Sequence, residues 1–262
     1  MPSKRGLTFP VSSPDPPFLF SKPGSLISWL YNWSPRLTPG TGPGCSLHFV
    51  PMQWNHVYMD ELPSHLNACY PIPDQECNGP PTILGFNEPE LPDQSNMSVS
   101  LAAHEWLRVI EPLRRQGVRA GSPGISSAPQ GVVWLQEFIA AIRAGGSDVD
   151  FYCLHWYGGA DLGAFYDYIW STHHQLGPDK PVWITEFACT NWDQQNPIPK
   201  EEVEAFCRES CKYLDTLDWV ERYAWFGAMR PETIGNVGRW ASLLGEEGEL
   251  TELGVWYRDC AE

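Results

Sequence analysis

Short apolar runs, separated by turn-forming or helical segments, recur along the chain and predict eight β-strands. The expected strands are residues 5–9, 26–33, 47–54, 82–88, 118–123, 151–157, 181–187 and 220–229. Apolar residues at helical spacing predict helices at residues 57–66, 98–116, 132–144, 165–176, 201–217 and 250–258. The gap between the first two strands is short and rich in proline, so no full helix is expected there.

Strands that alternate with helices in one uninterrupted chain of 262 residues predict an α/β fold. We expect a single-domain (β/α)8 TIM barrel that spans residues 1–262. A doubly wound sheet is the alternative, but no glycine-rich phosphate-binding turn follows any predicted strand. In a (β/α)8 barrel the active site lies at the carboxyl ends of the strands, so polar residues there are the first candidates for function.

Two of the predicted strands end on a glutamate. The fourth runs through Leu84 and Phe86 to Glu88, and the seventh ends at Glu186. If side chains alternate strictly, Leu84 and Phe86 share the inward face of Glu88 and fill the barrel. Two carboxylic acids at one end of a barrel are the basic requirement for hydrolysis of a glycosidic bond.

The same alternation predicts which residues near the second glutamate point into the barrel. It places Ile184 and Val182 on the inward face of the seventh strand together with Glu186. On the sixth strand His155 and Tyr157 share one face and stand at the barrel mouth. Each strand therefore carries its polar groups at the end where a barrel binds substrate, and we expect His155 to contact substrate.

Composition narrows the class of substrate. Seventeen basic residues against 32 acidic ones give a formal charge of −15, which disfavours nucleic acid and anionic membranes as partners. No apolar run approaches membrane-spanning length. Thirteen tryptophans are many for this length, and we expect about half of them to stack on the faces of sugar rings. A neutral carbohydrate is therefore the expected ligand.

The cysteines bear on the cellular compartment. Eight cysteines without zinc-site spacing favour an extracellular or other oxidising compartment, and Cys69 and Cys77 are the expected local disulfide. Cys207 and Cys211 stand one helical turn apart, where Cβ atoms are too distant for a disulfide, so other partners are expected for them. The chain begins without a basic-then-apolar leader, so any signal peptide has been removed or was never present.

The motifs at the strand ends resemble those of glycoside hydrolase family 128, and fungal members more than bacterial ones. The quoted segments are Ser28-Trp29-Leu-Tyr-Asn32-Trp33, Phe49-Val-Pro-Met-Gln-Trp54, Leu84-Gly-Phe-Asn-Glu-Pro89, Leu154-His-Trp-Tyr-Gly158 and Trp183-Ile-Thr-Glu-Phe-Ala-Cys189. The Asn-Glu-Pro motif alone is shared by many glycoside hydrolases of clan A, but the full set is specific and the resemblance spans nearly the whole chain. It implies a retaining (β/α)8 enzyme that acts on β-1,3-glucan without a metal or organic cofactor.

The resemblance also implies roles for individual residues. Glu186 is the expected nucleophile, and Glu88 the expected general acid/base, which the charge of Glu186 keeps protonated for the first step. Asn87 is expected to hold the sugar 2-hydroxyl, Tyr157 to orient Glu186, and Trp225 to form the floor of the subsite at the cleavage point. The remaining expected substrate-binding residues are Trp29, Asn32, Trp33, Trp54, Asn55, His155, Trp156 and Trp192.

Alternatives remain at this point. We expect endo action on laminarin-like β-1,3-glucan by a monomer in the extracellular space or cell wall. Exo action is the first alternative, because the loops at residues 34–44 and 62–81 are long enough to block one end of a cleft. A glucan-binding protein with little turnover and a glycosidase for another linkage are the others, since fold alone does not decide function. Asn96-Met97-Ser98 is the better of two glycosylation motifs, because Asn32-Trp33-Ser34 falls at the barrel mouth.

Overall fold

A computed structural model describes residues 3–41, 46–70, 80–193 and 195–260. Eight parallel strands lie in the order β3-β2-β1-β8-β7-β6-β5-β4. Their bounds are β1 Arg5–Thr8, β2 Ile27–Tyr31, β3 His48–Phe49, β4 Thr82–Ile83, β5 Arg119–Ile125, β6 Phe151–Gly158, β7 Val182–Cys189 and β8 Val220–Trp225. Every neighbouring pair is parallel. This is expected when the segment between two strands carries the chain back to the end of the sheet at which the first strand began.

The segments that directly follow β3 and β4, the two terminal strands of that order, meet and close the barrel. Leu84 N donates to the Pro51 carbonyl at 2.9 Å, and Gln53 N donates to the Leu84 carbonyl at 3.1 Å. Further along, Asn87 N donates to the Trp54 carbonyl at 2.9 Å. The predicted single-domain (β/α)8 TIM barrel is therefore confirmed, with a seam whose two strands are short and irregular.

Seven helices surround the sheet in the described residues. They are α1 Leu62–Cys69, α2 Val99–Glu105, α3 Glu111–Arg115, α4 Pro129–Ala144, α5 Leu162–Leu176, α6 Lys200–Thr216 and α7 Glu252–Asp259, and a π-helical turn at Trp106–Ile110 joins α2 to α3. Short 3-10 turns occupy Pro17–Phe20, Met59–Glu61, Gly235–Val237 and Arg239–Ala241. Between β1 and β2 only such a turn is present, as the prolines there predict. Side chains of Ser98, Asp161 and Thr251 cap α2, α5 and α7.

The apolar core has two layers. The inner layer contains residues of the strands and strand ends alone, among them Trp29, Met52, Leu84 and Trp183, and fills the barrel. The outer layer contains the remaining strand residues together with the apolar faces of the helices. The layer to which a strand residue belongs therefore reports the direction in which its side chain points.

The layers correct the predicted facing of β7. Trp183 belongs to the inner layer, whereas Val182 and Ile184 belong to the outer one. The register with β6 then shifts by one residue, because Leu154 pairs with Ile184 but His155 pairs with Glu186. Strict alternation was therefore wrong on this strand, and a β-bulge at Thr185 turns Glu186 inward.

A similar irregularity affects the segment after β4. Leu84 lies in the inner layer as expected, but Phe86 lies in the outer one, so the expectation for Phe86 was wrong. Between them Gly85 passes so close to β5 that an added Cβ would stand 2.7 Å from Pro123 N. The chain turns over at this glycine because no larger residue fits against the neighbouring backbone.

A cationic cluster closes the amino-terminal end of the barrel. The Arg222 guanidinium lies over the rings of Trp183 and Trp29, at 4.5 and 5.5 Å from the ring centroids. Both of its terminal nitrogens approach His48 Nδ1 at 3.1 Å, and His48 Nε2 stands 2.8 Å from the Tyr70 hydroxyl. Burial and the charge of Arg222 lower the pKa of His48 to about 3, so this imidazole is neutral.

The cysteine expectations fare less well. Cys77 lies outside the described residues, and its expected partner Cys69 is a free thiol. Cys207 and Cys211 are buried free thiols, so the expectation that each has another disulfide partner was wrong. In the part of the chain that the structure describes, no helix has the length and apolar character needed to cross a bilayer.

Candidate active site

Glu186 receives hydrogen bonds from three aromatic side chains. Its Oε1 accepts from the Tyr31 hydroxyl at 2.9 Å and from the Trp33 indole at 2.7 Å. Its Oε2 accepts from the Tyr157 hydroxyl at 2.6 Å. Burial, together with the charge of Glu186, raises the pKa of both tyrosines well above the usual value, so both hydroxyls keep their protons. Three donors on one carboxylate stabilise its ionised form, which is the form a nucleophile needs.

Glu88 faces Glu186 from the irregular seam of the barrel. Its backbone is left-handed, with φ of 41°, which is uncommon for a residue with a side chain. The conformation is held because Glu88 N donates to the Gly124 carbonyl at 2.7 Å and the Glu88 carbonyl accepts from Leu91 N at 3.0 Å. Trp33 also has a left-handed backbone, with φ of 57°. Strained backbone of this kind concentrates at functional sites.

His155 lies between the two glutamates and is completely buried. Its Nδ1 is 3.0 Å from Glu88 Oε1, and its Nε2 is 3.6 Å from Glu186 Oε1. Burial lowers the pKa of His155, but the charges of Glu186 and Glu88 outweigh it and raise the pKa to about 9. The ring has room because β5 carries Gly124, where an added Cβ would stand 2.7 Å from Nε2. A protonated imidazole therefore offsets part of the charge of the two acids.

The spacing of these groups bears on the chemistry they can perform. Glu88, His155 and Glu186 each offer one polar atom within 4.8 Å of the others. Retaining glycosidases hold their carboxyl groups about 5–5.5 Å apart, whereas inverting enzymes need about 6.5–9.5 Å to admit a water molecule. The pair therefore fits a retaining mechanism. The trio is also close enough to hold a metal ion, but its atoms already face protons from Tyr31, Trp33 and Tyr157, and a protonated imidazole is no ligand.

A cleft of about 770 Å³ opens above the two carboxyl groups. Five aromatic residues line it together with polar and aliphatic side chains: Trp33, Trp54, Tyr157, Trp192 and Phe226. Trp192 is 64% exposed and meets Tyr157 edge to face at 6.5 Å. Rings exposed beside polar groups are suited to sugar faces, which are apolar with a polar edge.

A third carboxylate, that of Glu90, supports one wall of the cleft. Glu90 Oε1 accepts from Ser126 N at 2.7 Å and so joins the segment after β4 to the loop after β5. Burial raises the pKa of Glu90. The residues that follow this contact, Ser127 and Ala128, line the cleft, so Glu90 holds a wall in place without lining the cleft itself.

The structure brings together seven of the predicted site residues around the cleft. They are Trp33, Trp54, Asn87, Glu88, Tyr157, Glu186 and Trp192. His155 lies directly beneath the two glutamates, where it contacts them rather than the open cleft. The predicted contact between Tyr157 and Glu186 is present as a short hydrogen bond.

Three predicted tryptophans do not reach the cleft. Trp29 lies in the inner layer with its indole nitrogen 3.1 Å from the Lys4 carbonyl, far from the barrel mouth. Trp156 packs in the outer layer, and Trp225 is 0% exposed with its indole bonded to the Ala241 carbonyl at 2.8 Å. The expectation that these three rings stack on sugar was wrong, because each points to a side of the sheet that packs against protein.

The two predicted asparagines have local roles. Asn32 is buried, and its amide donates to the Thr38 hydroxyl at 2.8 Å and to the Arg36 carbonyl at 2.9 Å. Asn55 lies outside the described lining of the cleft, and its side-chain oxygen accepts from Val57 N at 2.8 Å. The buried Asn32 has its amide committed to a loop, which contradicts its expected substrate contact, whereas substrate contact by the partly exposed Asn55 stays a prediction.

Two aromatic residues of the site were missed by the sequence reasoning. Tyr31 shares the inward face of β2 with Trp29 and the more distant Trp33, so alternation from either tryptophan would have found it. Phe226 follows Trp225 and takes the mouth position assigned to that tryptophan. Ala224, two positions before Phe226, points into the barrel, so alternation from Ala224 would have predicted an inward Phe226. An alanine alone, however, does not show in the sequence which way it faces.

Comparison with known proteins gives the class of the molecule. The family model described as "Glycosyl hydrolase catalytic core" matches residues 6–257. The chain therefore belongs to the glycosyl hydrolase catalytic core family. It is 34% identical over 234 residues to Alkali-sensitive linkage protein 1 of Schizosaccharomyces pombe, which covers 88% of this chain. The chain spans 40% of the length of that curated relative.

Solved structures give a narrower likeness, to GH128 β-1,3-glucanases. A subgroup V exo-β-1,3-glucanase from Cryptococcus neoformans matches with a TM-score of 0.80 and 28% identity, over 99% of this chain and 100% of that chain. A subgroup IV endo-β-1,3-glucanase from Lentinula edodes matches with a TM-score of 0.79 and 26% identity, over 96% of this chain and 97% of that chain. A subgroup I endo-β-1,3-glucanase variant from Amycolatopsis mediterranei in complex with laminarihexaose matches with a TM-score of 0.69 and 30% identity, over 88% of this chain and 89% of that chain.

Proposed function

We propose that this chain hydrolyses β-1,3-glucan as a retaining, endo-acting β-1,3-glucanase. The observation that carries the proposal is the pair Glu88 and Glu186, whose carboxyl oxygens lie within 4.8 Å at the mouth of the barrel. The family match and the GH128 neighbours, one of them bound to laminarihexaose, support the substrate class.

The first chemical step divides the work between the two acids. Glu186 attacks the anomeric carbon, and Glu88 gives a proton to the departing glycosidic oxygen. The hydrogen bonds support this division, because Glu186 accepts from three donors whereas Glu88 has its single side-chain partner in His155 among the described residues. The carboxylate with more hydrogen-bond donors is the better suited to act as the nucleophile.

The second step reverses the proton transfer. Once the covalent glycosyl ester forms, the negative charge of Glu186 is gone, and Glu88 becomes a base that takes a proton from the attacking water. His155 remains within 3.0 Å of Glu88 throughout and balances its new charge. Tyr31 and Tyr157 then donate to the returning carboxylate as the ester is cleaved.

The cleft walls suit a chain of neutral sugars. Trp33, Trp54, Trp192 and Phe226 offer ring faces, and the formal charge of −15 neither attracts nor repels a neutral polymer. Asn87 is proposed to hold the 2-hydroxyl of the sugar whose bond is broken. The same charge disfavours nucleic acid and anionic membranes as partners.

The biological setting is proposed on coarser grounds. The named relative from a fungus is a linkage protein, and several GH128 neighbours are fungal, so we propose action in the fungal cell wall or outside the cell as a monomer. The chain spans only 40% of the length of that relative, so any activity or partner of the whole relative comes to this chain only as a proposal.

Product analysis tests the proposal directly. The protein is incubated with laminarin and with β-1,3-gluco-oligosaccharides of graded length, and products are followed over time, with β-1,4-glucan and β-1,4-mannan as controls. A spread of short oligosaccharides from the first minutes supports endo action, and one repeated product replaces it with exo action. No products, with oligosaccharide still raising the melting temperature, would refute turnover and leave a glucan-binding protein.

A further inference from the structure

Gln94 lines the cleft and holds the side chain of Asn87. The Asn87 amide donates from Nδ2 to Gln94 Oε1 at 3.1 Å. Asn87 is 4% exposed, and its Oδ1 is buried with no hydrogen-bond partner among the described residues. Asn87 lines the cleft, and because its Oδ1 has no partner among the described residues, the bond from Nδ2 to Gln94 alone fixes the amide.

The backbone fixes Gln94 at this place. After Glu88 the chain folds back in consecutive turns, and Gln94 N donates to the Leu91 carbonyl at 3.1 Å. The next residue, Ser95, donates its N–H to the Asn87 carbonyl at 3.2 Å. Gln94 is thereby tied to the residue whose side chain it contacts, and the two amides meet without a flexible connection.

We propose that Gln94 is a positioning residue that sets the orientation of the Asn87 amide toward the substrate 2-hydroxyl. The inference rests on the proposed function, and it names the part of the site that reads this hydroxyl. The terminal torsion of an asparagine has a broad, roughly two-fold preference, so an unheld amide presents its nitrogen and its oxygen to the cleft in turn. With Nδ2 held by Gln94, the face that Asn87 offers is constant.

Two variants separate the hydrogen bond from the shape of the side chain. Gln94→Met keeps the length of the side chain but removes the acceptor, whereas Gln94→Glu keeps an acceptor for Asn87 Nδ2. Each variant is assayed on an aryl β-laminaribioside and on its analogue that lacks the 2-hydroxyl on the sugar beside the aryl group. Melting temperatures are measured for every protein.

We expect Gln94→Met to lower kcat/KM about tenfold on the parent substrate and by less than about twofold on the 2-deoxy analogue. The loss should fall on kcat, because bonds to the 2-hydroxyl strengthen in the transition state. Gln94→Glu should retain most of the activity, with its pH profile displaced by the added charge. The double variant of Asn87→Ala with Gln94→Met should lose no more than Asn87→Ala alone.

Equal losses on the two substrates, or additive losses in the double variant, would overturn the role of Gln94. A wild-type protein that hydrolyses neither aryl substrate nor laminarin would instead overturn the proposed function and this inference with it. If Gln94→Met does not fold, Gln94→Ala is used for the same cycle, and the comparison with Asn87→Ala decides the question in the same way.

Discussion

The barrel buries one histidine at each end, and the two differ in charge. His155, at the carboxyl-terminal mouth, lies between Glu88 and Glu186, and its pKa is raised to about 9. His48, at the opposite end, lies against Arg222, and its pKa is lowered to about 3. Burial lowers the pKa of both, so the sign of the neighbouring charge decides the outcome.

The difference separates the chemical end of the barrel from its structural end. At the mouth, unlike charges meet beside an open cleft, so protons can move between groups that a substrate reaches. At the base, a neutral imidazole accepts from the partly buried Arg222, whose guanidinium lies over the ring of Trp183. The same residue type therefore contributes to reactivity in one place and to packing in the other.

The largest expected effect comes from Glu186→Gln at the mouth. The change removes the proposed nucleophile with little change of shape, so we expect kcat on laminarin to fall about 10⁴-fold or more while oligosaccharide binding persists. Product assays and calorimetric titration with laminarihexaose measure the two quantities. Retained turnover in this variant would remove Glu186 from the mechanism.

His155→Gln should give the next largest effect. Loss of the cation between the acids should lower kcat about 10²-fold and shift the acid limb of the rate profile. Because the folded pKa of about 9 lies above the unfolded value of 6.5, the stability that His155 contributes is complete below pH 6.5 and is lost as the pH rises through about 9. Melting scans should therefore show a shallower alkaline decline in the variant than in the wild type, and parallel curves would contradict the assignment.

A smaller loss is expected from Tyr157→Phe. The variant removes one of three donors to Glu186, and a hydrogen bond to a charged group is worth about 1.5–3 kcal/mol, so kcat should fall about tenfold or somewhat more. Tyr168→Phe is the matched control, since its hydroxyl contacts the Ser126 carbonyl and not a catalytic acid. Equal rates in the two variants would show that the bond to Glu186 has no part in catalysis.

The smallest effect on rate is expected at the base. His48→Gln should leave kcat within about twofold and lower the melting temperature by a few degrees at neutral pH, since it disturbs a hydrogen-bonded cluster. The folded pKa of about 3 lies below the unfolded value, so the contribution of His48 is present above pH 6.5 and is lost as the pH falls toward 3. The variant should therefore lose less stability than the wild type between these values in melting scans. A large fall in kcat at unchanged stability would contradict a purely structural role for His48.

Much of the fold could be predicted from the sequence because strand length and helix periodicity are local properties. The segments after β5 match their predicted helices and strands within a few residues. The seam was harder, since β3 and β4 are two residues each and closure depends on isolated backbone bonds such as that of Leu84 with Pro51. Those bonds connect segments far apart in sequence, and no local pattern encodes them.

Site residues could be predicted from sequence where a polar residue ends a strand. They could not be predicted where the role depends on which side of the sheet the side chain points to. Glu88, Glu186 and Tyr157 follow from position alone. Trp225 and Phe226 are adjacent aromatic residues on one strand, and composition cannot tell which of them faces the cleft. The left-handed turn at Glu88 also leaves no sequence signal, because it is imposed by contact with another strand.

The bulge at Thr185 gives β7 two phases. The residues before it alternate between the two layers of the core, and Glu186 faces inward because the bulge adds one residue to that alternation. Deletion of Thr185 would restore strict alternation and leave Glu186 on the inward face opposite His155, whereas loss of the bulge at constant length would turn Glu186 toward the helical layer. The direction in which Glu186 points therefore depends on the phase of its strand as well as on the identity of the residue.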